Sequence, residues 1–151
     1  MDYQHLVRDF AKRTRHNLEV IRKRCPAQGD EVYEVTQLIN SMLGLLVLPK
    51  ERYYESIPTT PLEQLRADGW PAPVLDGEFK SPKHLRDLVR LLRNSVAHFN
   101  VEFVAPTGEI KGVILSNKCN CGNVTWRASL SLDDLEQITS KFVDLILKDG
   151  V

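Results

Sequence analysis

Between Arg90 and Asn100 the chain reads "RLLRNSVAHFN", in which Arg93 and His98 are separated by four residues and Asn94 follows the arginine directly. A guanidinium is planar, permanently charged and able to hold two phosphate oxygens at once. An imidazole titrates near neutrality and can take or give a proton. Together Arg93 and His98 suit chemistry at a phosphodiester, with Arg93 stabilising charge as it develops and His98 serving the attacking or the leaving oxygen. Asn94 lies one helical turn before His98 and can orient the imidazole or the phosphate. Spacing alone does not separate this from an ordinary salt-bridged helix end. With eleven arginines and four histidines in the chain, an Arg followed by a His at four to six intervening residues arises by accident about once.

Other chemistry-bearing residues read as structural. Cys119 and Cys121 in "NKCNCGN" have no second pair and Cys25 is remote, which fits a tight turn better than a zinc site. Three cysteines, an odd number without a secretory context, argue against a disulfide framework. Asp133 and Asp134 suit a helix N-terminus rather than a two-metal site. His5, His16 and His84 have no convincing partners, and no glycine-rich phosphate loop is present. No cofactor and no metal is therefore expected.

The elements that must position Arg93 and His98 follow from periodicity. Residues 3–25 carry Tyr3, Leu6, Phe10, Leu18, Ile21 and Cys25 at helical spacing, with Thr14 and Asn17 interrupting the stripe and Pro26 ending it. A second helix runs from a cap at Asp30 to about Leu48, with a core face of Val32, Val35, Ile39, Met42, Leu43 and Leu46. On its other side Tyr33, Gln37, Asn40 and Gly44 form a stripe beside Leu38 and Leu45, a combination that a contact between helices or subunits explains. Residues 49–80 hold five prolines and read as an irregular connection with a short helix begun by Thr60 and Pro61. Ser81 and Pro82 offer an N-cap and first position for a third long helix reaching Asn100. Alternation then replaces the helical period in "VEFVAP", "EIKGVILSN" and "NVTWRASL", predicting two or three short antiparallel strands. Ser131 with Asp134 forms a capping-box-like start to a last helix whose inward residues are Leu135, Ile138, Phe142, Leu145 and Ile146. The expected fold is an all-α bundle of four main helices with a small β-hairpin insertion before the last, one domain over residues 1–151.

On a wheel of the third long helix, Leu85, Leu88, Val89, Leu92 and Val96 share the core face. Asn94 and His98 point away from it and Arg93 sits at the boundary. Leu91 shares the outer side with His98, which hints at contact with a second copy of the same helix across a twofold axis.

Net charge is zero, and 42% hydrophobic with 26% charged residues suits one ordinary core. The charge is unevenly placed. Residues 1–24 hold seven Lys and Arg against Asp2, Asp9 and Glu19, whereas residues 131–151 hold Asp133, Asp134, Glu136, Asp144 and Asp149 against Lys141 and Lys148. A basic first helix can draw a polyanion, or merely face an acidic last one. The longest apolar run, "MLGLLVLP", is too short to cross a bilayer and the first ten residues have no signal core, so no membrane partner and a cytoplasmic location are expected.

The chain resembles the HEPN superfamily of helical nucleotide-binding and ribonuclease domains. The resemblance rests on "RNSVAH" at the end of the third long helix and on the order of helices, with "RTRHNLEVI" and "YEVTQLINSMLGLLVLPKE" resembling the first two helices of plasmid-borne and defence-associated members. The hairpin before the final helix departs from the simplest four-helix members. The resemblance implies a metal-independent endoribonuclease acting as a homodimer through the helix carrying Arg93 and His98. Its substrate would be RNA, its product a 2′,3′-cyclic phosphate, its setting toxin–antitoxin, antiphage or stress response, and an antitoxin protein its restraint. The alternative is a noncatalytic RNA- or nucleotide-binding or protein-interaction module; a binding domain that has lost activity would share the motif and the order of helices.

Overall fold

The computed structural model describes residues 6–24, 34–47, 54–108 and 110–148. In chain order these form α1 (Leu6–Arg24), α2 (Glu34–Val47), a 3₁₀ turn (Tyr54–Ser56), a short α3 (Leu62–Ala67), β1 (Val74–Leu75), α4 (Leu85–Ala97), β2 (Val101–Val104), β3 (Gly112–Lys118), β4 (Val124–Ser131) and α5 (Leu132–Lys148). The proposed cap at Asp30 and the stripe residue Tyr33 lie outside the described residues.

The architecture is mixed α/β, which corrects the expected all-α bundle with a hairpin insertion. Among the described residues, five helices accompany one four-stranded antiparallel sheet in the order β1-β4-β3-β2. The sheet is a wall of the core rather than an ornament. Val113 and Leu115 of β3 and Trp126, Ala128 and Leu130 of β4 alternate onto one face and are all buried, as a strand's period of two requires. Against that face α4 lies on β3 and α5 on β4, while α2 touches α1, α4 and α5. The fourth strand, β1, pairs Val74 with Ser129 and Leu75 with Ala128. It falls in the stretch read as irregular, because two residues are too few to show an alternation.

One continuous cluster joins the layers, including Met42 and Leu45 of α2, Leu88 and Leu92 of α4, and Leu135, Phe142 and Ile146 of α5. Burying each such side chain contributes about 1.5–3 kcal/mol. Leu38 and Leu45, which made α2 look too apolar for a free surface, belong to this cluster. Gly44 of that stripe meets α1, since a Cβ there would collide with the Phe10 ring, whereas Asn40 is exposed. The basic α1 and acidic α5 pack together, with Arg15 bonded to Asp144 at 2.5 Å. That part of the charge asymmetry is paired off on the surface between the two helices.

Capping follows the sequence at α5 and departs from it at α4. Ser131 Oγ accepts from the Asp134 backbone N–H at 3.1 Å, and Asp134 accepts from the Ser131 backbone N–H at 3.2 Å, a reciprocal capping box. Helix α4 begins at Leu85, not at Pro82, because His84 takes the cap and its Nδ1 accepts from the Asp87 N–H at 3.3 Å. Residues 60–62 bond alongside residues 83–85, through Leu62 N–H to Lys83 and Leu85 N–H to Thr60, which holds His84 in an extended backbone at the cap.

Cys119 and Cys121 form a disulfide with each other across the β3–β4 turn, which corrects the reading of two incidental thiols. The turn makes it feasible: Cys119 N–H donates to Asn123 and Gly122 N–H to Cys119, and the two Cα atoms stand 5.1 Å apart, within bridging range. Cys25 lies outside the described residues. No described helix is long and apolar enough to cross a membrane.

Candidate functional site

Everything at the site depends on how α4 is held. Its stripe of Leu85, Leu88, Val89, Leu92 and Val96 is buried, as the wheel predicts. Its first turn is clamped by Arg86, which donates to the carbonyls of Ile57 at 2.9 Å and Glu55 at 2.6 Å and lies over the Tyr54 ring. The 3₁₀ turn is thereby tied to α4.

A second tie lies near the other end and was not anticipated from the sequence. Asn117, the third inward residue of β3 after Val113 and Leu115, is 6% exposed. Its Nδ2 donates to the Leu91 carbonyl at 2.7 Å and to Ser95 Oγ at 2.8 Å, while Ser95 Oγ donates back to Leu91 at 2.9 Å. The signal was available: a serine on the inward side of the wheel and an asparagine in an inward strand position each demand a buried partner. This network also corrects the placing of Leu91. Its side chain is half-buried against the chain's own core cluster, so it does not argue for a second copy.

The structure places Arg93 and Asn94 together. Arg93 is half-buried, and its guanidinium donates through Nη1 to Asn94 Oδ1 at 3.0 Å. Among the described residues Arg93 Nε is buried with no hydrogen-bond partner. That donor is closed to a ligand, and an anion would meet instead the Nη donors that Asn94 does not use. His98 stands one turn further on as the C-cap, its N–H bonded to the Asn94 carbonyl at 3.1 Å. Its side chain is exposed and makes no hydrogen bond or ion pair among the described residues. Asn94 is thus the shared element, touching the guanidinium by its side chain and the histidine by its backbone.

Helix α4 ends at Ala97 rather than running to Asn100. Phe99 N–H donates to Val96 and Asn100 N–H to Ser95, the paired 5→2 and 6→1 bonds of a Schellman ending. Phe99 accordingly adopts a left-handed backbone with φ 54°. Asn100 then enters the sheet, its carbonyl accepting from Ser116 N–H at 3.1 Å. Among the described residues no three His, Cys, Asp or Glu side chains are grouped to share a metal ion.

A family model described as HEPN pEK499 p136 matches residues 1–150. No curated protein and no solved structure matches the chain.

Proposed function

The chain belongs to the HEPN pEK499 p136 family, and on that premise we propose that it is a metal-independent endoribonuclease acting through Arg93, Asn94 and His98. HEPN domains are typically ribonucleases. The observation that carries the reading for this chain is the Arg93–Asn94 pair, half-buried and preset for an anion, on the helix that terminates in an exposed imidazole.

In the reaction the ribose 2′-oxygen attacks phosphorus, the bond to the 5′-oxygen breaks, and a 2′,3′-cyclic phosphate and a 5′-hydroxyl result. One proton leaves the 2′-hydroxyl and one arrives on the departing oxygen. Arg93 holds the non-bridging oxygens as negative charge accumulates on them, and Asn94 fixes the guanidinium. Each chain offers one histidine in the motif. A homodimer that sets two copies of α4 side by side supplies both proton-transfer groups, so the active species is a dimer and RNA lies across its axis. In a toxin–antitoxin, antiphage or stress-response setting an antitoxin protein would restrain the activity.

The test is cleavage of a structured RNA in EDTA by the wild type, His98→Ala and Arg93→Lys, with product ends identified. The wild type cleaves, leaving cyclic phosphate. His98→Ala loses activity by about 100-fold or more, the usual scale of general acid–base catalysis. Arg93→Lys, which keeps charge but not the fork, loses most of it. Wild-type protein that is dimeric yet leaves RNA intact would support a noncatalytic module instead.

A further inference from the structure

We propose that Phe99, with Phe103 on the adjoining strand, is a base-stacking platform for single-stranded RNA beside the Arg93–His98 site. Its place in a reaction rests on the ribonuclease reading; its binding chemistry does not.

The argument begins with a residue in the wrong place. The position that follows a helix cap in a Schellman ending is usually glycine, because a left-handed backbone crowds any Cβ. Here it is phenylalanine, with φ 54° and 80% of its surface exposed. The ring thus strains the backbone and recovers nothing by burial. A bulky residue kept in a strained, solvent-facing position beside reactive groups points to a ligand. Phe103 repeats the pattern less sharply. It pairs with the fully buried Val113 and so shares the core-facing side of the sheet, yet it is 48% exposed because β2 is an edge strand. Three residues of chain lie between them, so their Cα atoms are at most about 14 Å apart.

The surroundings select RNA over a second protein surface. The other large exposed apolar residues described are Val74, on β1 at the far edge of the sheet, and Val124, at the start of β4. The two rings are therefore isolated rather than part of a broad apolar patch. Phe99 directly follows His98, and Arg93 lies on the last turns of the same helix, whereas Arg90 is turned to Asp87 at 3.7 Å; Glu102, between the two rings in sequence, is occupied by Arg127 through two bonds of 2.8 and 2.9 Å. Cations for phosphates beside aromatic faces for bases are the composition of a single-strand binding surface. Since every base presents a π-face, the platform would hold unpaired nucleotides with little regard to sequence.

The experiment measures affinity by fluorescence anisotropy for two labelled probes, 2′-O-methyl oligoadenylate, which 2′-hydroxyl attack cannot cleave, and the same backbone without bases. The wild type binds the base-bearing probe at least ten-fold more tightly. Phe99→Ala and Phe99→Gly weaken that probe by about 5- to 100-fold and leave the abasic probe unchanged, Phe103→Ala acts in the same direction, and Phe99→Trp retains affinity. Phe99→Gly also raises Tm by about 2–4 °C, which separates lost binding from lost folding. Equal wild-type affinity for both probes overturns the proposal, as does a Phe99→Gly protein that binds like wild type. A Phe99→Ala protein whose sedimentation shows dissociation with base-dependent binding intact overturns it in favour of a contact between copies. Base-dependent binding without cleavage of natural RNA would remove the ribonuclease reading and leave the platform standing.

Discussion

Replacing Asn117 by alanine severs the tie between the sheet and the helix that carries Arg93 and His98. Two hydrogen bonds are lost, of 2.7 Å to Leu91 and 2.8 Å to Ser95 Oγ, each with a net worth of about 0.5–1.5 kcal/mol. The Leu91 carbonyl keeps its bond from Ser95 Oγ at 2.9 Å, so it is not orphaned. The missing amide leaves a small void at a 6% exposed position, which places the total at about 2–3 kcal/mol. For a chain of this size that lowers Tm by about 4–12 °C. Asn117→Asp is worse than alanine, because it turns a donor toward two oxygens into another oxygen and brings charge into the core. Urea titrations followed by tryptophan fluorescence give both values. Below the transition, on the proposed ribonuclease reading, Asn117→Ala should lower kcat more than it raises KM, since it loosens the helix end carrying His98 without touching the groups proposed to meet substrate. A loss under 0.5 kcal/mol, or an aspartate variant more stable than the alanine one, would refute the claim that this amide holds α4 to the sheet.

Two further outcomes test the sheet itself. In Gly112→Ala the added Cβ meets the Leu130 carbonyl at 2.6 Å; the obstacle is backbone in a paired strand, so a loss of about 1–3 kcal/mol is expected in urea titration. Glu102 is held below the usual glutamate range, chiefly by its hydrogen bonds from Arg127, which is itself raised by Glu102 and Asp76. A carboxylate depressed in the folded state contributes stability above its unfolded pKa and loses it as pH falls through its folded pKa. The urea midpoints of wild type and Glu102→Gln should therefore differ at pH 7 and converge below about pH 4; a gap that stays constant with pH would show that the carboxylate charge is idle.

How much of this was legible in the sequence depended on the length of each signal. The stripe on α4 and the Ser131–Asp134 capping box span several residues in fixed register and could be read directly. So could the three longer strands, yet reading them as an insertion hid their role, because alternation shows which side is apolar but not what covers it. Trp126 and Leu130 join the core that α4 and α5 cover only once β4 has paired with β3. Strand β1 has two residues and no pattern of its own. His84 displaced the more plausible Ser81–Pro82 cap because bonds from residues 60–62, distant in sequence, hold His84 itself extended at the helix start. The disulfide was missed on redox grounds that take no account of a turn bringing Cys119 and Cys121 together.

The motif poses a harder question than its elements do. Spacing put Arg93, Asn94 and His98 on one helix, but proton transfer to phosphorus-bound oxygen needs positions held to a fraction of an ångström. A helix end is a poor place for that, since last turns fray. This one resists fraying through residues that carry no chemistry. Ser95 and Asn117 bind the final turns from inside, and the backbone beyond His98 is locked first by the Ser95–Asn100 bond and then by Asn100 accepting from Ser116. His98 is therefore free in its side chain while its backbone is pinned on both sides, so the imidazole can rotate between proton donor and acceptor geometries without the helix moving. The strained Phe99 follows the same logic under the platform proposed above: a glycine would satisfy the turn better, but it would offer no ring to an unpaired base beside the phosphate that Arg93 is proposed to hold.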